Sequence, residues 1–287
     1  MASFAEFPVQ PRHVRSFSAP LGSHPLAHTI KEELQKMKNY MALSAPSAVT
    51  TCDGLRGLGE LYNCIDELLR LPHNREALCH PHQRKWLEEE LEVSLKVLDL
   101  CGIMRDSFAR IKEQVQDLQL ALRRRETDIK IKVNSYIRFG KKAQKDVKNC
   151  YRLLKQMDGT SVSCSTSDDD LTRILREAKE VTIYTLQSII ASFSASKSSK
   201  ATRWSFVSKA TNKRKVACEG EDMDTNYMRS IDLAFCSCKD TDDGRVLKVE
   251  NQLKTLESML NNLEMGLDCL FRRLIQNRVS LLNIQSL

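Results

Sequence analysis

Several groups of residues in this chain have the types and spacing that chemistry requires. Leu98 to Asp106 read LDLCGIMRD, which sets Cys101 beside Gly102 with Asp99, Arg105 and Asp106 close by. A cysteine nucleophile needs a base such as histidine to support its thiolate, and this stretch contains none. Further upstream, LPHNREALCHPH brings His73, Cys79, His80 and His82 to short spacing. Cys and His are the donors that bind zinc. The set has no paired CxxC, and Cys236 and Cys238 would complete it only if a distant segment folded back. A linker at a helix start is the expected role, and no metal or other cofactor is expected.

Two further groups concern partners rather than reactions. RSFSAP places Arg15 three residues before Ser18 and Pro20 two after it, with Ser16 between. This is the pattern that 14-3-3 proteins dock once the serine is phosphorylated. Phosphate on Ser18 would add nearly two negative charges for an arginine cluster to grip. Between Leu120 and Met157 stand twelve Lys or Arg against three acids, an excess larger than the +7 of the whole chain. Within it Arg138, Lys141, Lys145, Lys148, Arg152 and Lys155 recur at steps of three and four, opposite Tyr136, Ala143 and Val147. A basic stripe opposite an apolar one can meet an acidic protein, anionic lipid headgroups or phosphates. It can also be a solvated outer face. Few aromatics interleave with it and no DNA or RNA module is present, so nucleic acid is not expected.

The elements that carry these residues read as helices. Pro25 opens a first one, with Leu26, Ile30, Leu34, Met37 and Met41 on one face and Pro46 closing it. Asp53 is placed to cap a second, with Leu55, Leu58, Tyr62, Ile65 and Leu69 inside, ended by Leu71-Pro72. From Pro81 a longer pattern runs. Val97, Cys101, Met104, Phe108, Ile111, Val115, Leu118 and Leu122 keep strict four-three spacing, the signature of a stripe facing a partner helix. Cys101 is then a small hydrophobe in a seam. Gly102 is expected to let another backbone approach, and Asp106 to pair with Arg110 one turn on. Whether the helix bends near Arg123–Arg125 is left open. The spacing resumes from Ile129 through Val133, Tyr136, Gly140, Ala143, Val147, Cys150, Leu154 and Met157.

A polar linker is expected at 158–167, then a helix over about Leu171 to Phe193 that is apolar on nearly every side after Val181, which implies deep burial or a partner surface. Residues 194–244, Ser- and Lys-rich and then acidic, are expected to form a flexible insertion. Within them Arg203-Trp204-Ser205 and Asn212 to Lys215 could be a kinase site and a weak nuclear signal, although an exposed basic loop is the plainer account. The last pattern is the most regular. Val246, Val249, Leu253, Leu256, Leu260, Leu263, Leu267, Leu270, Leu274, Asn277, Leu281 and Ile284 hold three-four spacing, with Asn277 the one polar member. A polar seam residue fixes register at some cost in stability.

The totals agree with helices. Hydrophobic residues make up 41% and aromatics 6%, with 10 Gly and 7 Pro in 287 residues. That mix suits bundles built on Leu, Ile and Val. The ten cysteines are scattered through helical patterns, which favours free thiols. No apolar run reaches the roughly 18 residues of a membrane span. Residues 1–23, with two arginines, four serines and one acid, are expected to be a disordered tail, although a transit peptide has the same look. The chain holds no Gly-rich phosphate loop, HExxH or GxSxG, and a non-enzymatic role is expected.

Several blocks together resemble a known family. SLKVLDLCGIMRDSFARIKEQVQDLQLALRRR, RWSFVSKATNKRKVACE and LESMLNNLEMGLDCLFRRLIQNRVSLLNI, with HPLAHTIKEEL and LYNCIDELLRLP before them, resemble the plant-specific Bypass family from about His24 to the C-terminus. The resemblance implies a mostly helical plant protein linked to control of root and shoot development. It brings no catalytic residues.

The combined expectation is all-α: an elongated antiparallel helical bundle with long coiled-coil-like helices over 24–287. It would act as a helical adaptor or regulator through protein partners, with a 14-3-3 protein engaging phosphorylated Ser18. A peripheral membrane protein using the basic stripe is the alternative, and self-association through the last heptads is left open. The cytoplasm is the expected compartment, with the membrane periphery, nucleus and plastid as alternatives.

Overall fold

The computed structural model describes residues 24–43, 48–126, 129–158, 170–194 and 243–287. Among them are seven helices and no strand: α1 Pro25–Leu43, α2 Ala48–Leu69, α3 Pro72–Cys79, α4 Pro81–Arg123, α5 Ile129–Asp158, α6 Asp170–Ser194 and α7 Asp243–Gln285. The fold is all-α. Prolines open α1, α3 and α4, where a missing N–H costs nothing. Asp53 is not a cap. α2 starts at Ala48, so Asp53 lies inside it, 3.9 Å from Arg56 one turn on.

α4 and α7 are each 43 residues long, about 65 Å at the helical rise. They lie antiparallel, as cross-links along them show: Arg278 donates to the Leu91 carbonyl, Arg105 stands 3.6 Å from Asp268, Lys112 pairs with Glu264, Gln116 donates to Glu257 at 2.7 Å, and Arg123 meets Glu250 at 3.2 Å. α5 returns antiparallel along α4, with Ser135 bonded to Gln114 at 3.2 Å. α2 instead runs parallel to α7, and α6 crosses between α2, α1 and α5. The seam positions read from the sequence line this interior. From Val97 to Leu122, from Tyr136 to Leu154 and from Val249 to Ile284 they are buried, as is the apolar half of α6. Phe108 and Phe193 join α4 to α6 at 4.6 Å between ring centres.

The chain does bend after Arg123. Arg125 adopts φ 50, its N–H reaches the Leu122 carbonyl, and the Glu126 N–H reaches that of Ala121. This is the Schellman end of a helix, here with arginine where glycine is the usual occupant.

The close approach expected at Gly102 lies elsewhere. A methyl group at Gly102 would meet nothing within 4 Å, because the seam residue Cys101 faces inward and Gly102 does not. The tight contact is Gly266 of α7, where a Cβ would sit 2.9 Å from Leu55 Cδ1 and 3.0 Å from its Cβ. A second is Gly59 of α2, whose added Cβ would lie 3.0 Å from Cys269 Sγ. A polar line fixes the register of the same helices. Asn277 donates to the Tyr62 carbonyl at 2.8 Å, Tyr62 and Thr182 hydroxyls lie 3.0 Å apart, and Ser280 donates to Asp66 at 2.6 Å. Burial pushes the Tyr62 phenol upward, so it stays protonated. Among the described residues no helix is long and apolar enough to cross a membrane.

Candidate cationic interface

α5 is built to show one face outward. Tyr136, Ala143, Val147, Cys150 and Leu154 are buried against the bundle, which fixes the rotation of the helix. Arg138, Lys141, Lys145, Lys148, Arg152 and Lys155 are thereby all exposed. Between Ile129 and Met157 the only acid is Asp146. Among the described residues none of the six cations has a carboxylate partner. Arg152 reaches Asn149 Oδ1 at 3.4 Å, and Arg138 lies 5.9 Å from the ring centre of its neighbour Phe139. Six like charges on successive turns with no counter-charge raise the local potential and attract an anionic surface. Leu153 stands among them and Ile131 two turns before them on the same helix, 47% and 67% exposed.

The other sequence-derived groups do not converge. Cys101 is buried, and burial pushes its thiol up to about 12. Cys150 across the α4–α5 seam is pushed up to about 11 by the same cause. Both are protonated packing residues at neutral pH. The charge pairing near Cys101 also differs from expectation. Asp106 meets Arg105 at 3.4 Å rather than Arg110, and Arg105 reaches across to Asp268 and lies 5.3 Å over the Phe271 ring. A ladder between helices replaces the within-helix pair. His73, Cys79, His80 and His82 are exposed at the α3–α4 junction. The rings of His80 and His82 stack at 5.5 Å, His73 faces His24 at 6.2 Å, and the Cys79 thiol lies 3.4 Å from the Ile284 carbonyl. Among the described residues no three His, Cys, Asp or Glu side chains gather as metal ligands. Arg15, Ser16, Ser18 and Pro20, the 1–23 tail, Cys236, Cys238 and the Arg203 and Asn212–Lys215 groups lie outside the described residues. So do the 158–167 and 194–244 segments, except that Asp158 ends α5, Ser194 ends α6 and Asp243 begins α7.

The family model described as Protein BPS1 matches residues 54–284. The chain belongs to this family. The match runs from the second turn of α2 into the last turn of α7, so it encloses the whole cationic face of α5 and the α4–α7 ladder. The Bypass resemblance read from the separated blocks is thus to the family that the full span identifies. No individually curated protein and no solved structure matches this BPS1-family chain.

One surface was missed by sequence reading. Ile275, Val279 and Leu282 of α7 are exposed, one step round from the buried seam of the same helix. Their four-three spacing is present in the sequence, but the stronger leucine stripe beside it absorbs the signal. Beside them runs a groove of about 320 Å³ between α7 and the α2–α3 corner.

Proposed function

We propose that this BPS1-family protein is a non-enzymatic helical adaptor in plant developmental regulation, and that α5 is the face through which it holds an anionic partner protein. The supporting observation is the contrast in pairing. Cations of α4 are tied to acids of α7, whereas the six outward cations of α5 meet no carboxylate among the described residues. The first test is fluorescence anisotropy with a labelled polyglutamate peptide and the full chain. Saturable binding that weakens from 50 to 300 mM salt, and that disappears when the six cations are replaced by Gln, is the expected result. Undiminished binding by that variant would remove the reading.

A second reading is attachment to an anionic bilayer. Ile131 and Leu153, exposed on the same helix as the cations, suit the headgroup boundary. Flotation separates the two. Co-migration with phosphatidylserine vesicles, but not phosphatidylcholine vesicles, and indifference to the peptide would favour the bilayer.

A further inference from the structure

The outward side of α7 changes character along its length. In its first half the solvent positions are Lys248, Asn251, Lys254, Thr255, Ser258, Asn261 and Asn262, with Leu247 and Met265 as isolated apolar members. In its last four turns they include Ile275, Val279 and Leu282, which are 40%, 49% and 41% exposed. These three stand at i, i+4 and i+7, and the half-buried Phe271 extends them by one more turn. They therefore form one strip rather than scattered contacts. Single exposed aliphatics need no explanation, but a contiguous strip marks a contact surface.

The strip is bounded on one side by charge of one sign. The adjoining groove is lined by Leu69, Arg70 and Arg75 from the α2–α3 corner, with Ile275, Val279 and Asn283 from α7. Arg75 has no carboxylate partner among the described residues. Arg70 lies 2.6 Å from Asp66, but that acid is buried beneath it, while the guanidinium remains largely exposed. Arginine is suited to such a rim, because its planar fork pairs with carboxylates on a partner in fixed geometry. Apolar floor, amide and hydroxyl groups at Gln276, Asn283 and Ser280, and guanidinium rim together match one class of occupant.

We propose that the C-terminal face of α7, with Arg70 and Arg75 at its edge, docks an amphipathic helix of a partner protein whose apolar side bears aliphatic anchors and whose flank is acidic. Anchors at i, i+4 and i+7 of the partner would lie along Ile275, Val279 and Leu282, and its carboxylates would reach the two guanidiniums. This surface is separate from the α5 face, so the protein would hold two partners at once.

The test uses the full chain and a lactam-stapled peptide with leucine at i, i+4 and i+7 and glutamate on both flanks, read by anisotropy. Expected are saturable binding, an analogue with lysine for glutamate that does not bind, and at least tenfold weakening by Val279→Ser and by Arg75→Glu. Melting curves should be unchanged for both variants, since both side chains are exposed. Ser258→Glu, on the polar half of α7, should leave binding intact, as should the sixfold α5 Gln variant. Loss of binding in the α5 variant with retention in Val279→Ser would assign the peptide to α5 and overturn this inference while sparing the other. Equal binding of the lysine analogue, or no saturation, also overturns it. A concentration-dependent dimer abolished by Val279→Ser would show that a second copy covers the face instead, which overturns it too.

Discussion

α5 and α7 are both long helices with a buried stripe at three-four spacing, yet their charges are used differently. On α7, Glu250, Glu257, Glu264 and Asp268 stand seven, seven and four residues apart along one edge, and each reaches a side chain of α4. On α5, Arg138 to Lys155 recur at steps of three and four, the same heptad-like period, with no such counterpart among the described residues. Spacing alone does not separate the two cases. What separates them is where the charges lie relative to the buried stripe, since α5 too packs against two helices, α4 and α6. α7 lies between α2 and α4, so its edge charges meet another helix, while the cationic side of α5 meets solvent. Charges at a helix–helix edge help set alignment, and those on a free face remain available to a partner.

The contrast can be broken most forcefully at the α7 seam. Leu263 and Leu267 are buried between α2 and α4, and replacing either with Ala should cost about 2–5 kcal/mol in urea unfolding. Midpoints equal to the parent would show that α7 is not the keel of the bundle. Next is the α2–α7 contact. Gly266→Ala should destabilise by about 1–3 kcal/mol, since its Cβ meets Leu55 near that residue's own Cβ, which cannot swing away. Gly102→Ala is the matched control. With open space around it and a helical backbone, it should raise stability by about 0.5–1 kcal/mol. A loss of stability there would mean that another backbone does approach. At the hinge between α4 and α5, Arg125→Gly should stabilise by about 1 kcal/mol, because glycine adopts the left-handed conformation without the Cβ clash. Smaller still is the ladder. Lys112→Gln should cost about 0.2–1 kcal/mol, as a pair near the surface does, and the loss should shrink in high salt.

Much of the fold was legible because burial and periodicity are the same fact at two levels. The positions at three-four spacing from Val97 to Leu122 and from Val249 to Ile284 are those the neighbouring helices cover. The six cations were legible for the complementary reason, since they lie opposite the covered stripe. Four features were not. The turn at Arg125 depends on a backbone conformation that arginine seldom adopts, so no residue type announces it. Gly102 and Gly266 are both helical glycines beside a seam, and only the partner's position tells which one is pressed. Arg105 could have paired locally by spacing, but its length lets it reach Asp268 and Phe271 on α7 instead. The Ile275–Leu282 strip was hidden by its own neighbour, because α7 is apolar on two adjoining sides in its last turns.

The central claim is that the α5 cations serve a partner and not the fold. Urea unfolding of the full chain with Arg138, Lys141, Lys145, Lys148, Arg152 and Lys155 all changed to Gln tests it most directly. Exposed residues away from special contacts change stability by no more than about 0.5 kcal/mol each, and relief of like-charge repulsion pulls toward the stable side. The expected result is a midpoint equal to or above that of the parent. An unfolding free energy lowered by more than about 3 kcal/mol, beyond what six exposed changes can remove together, would place these side chains among the contacts that hold the bundle together, and would contradict the account.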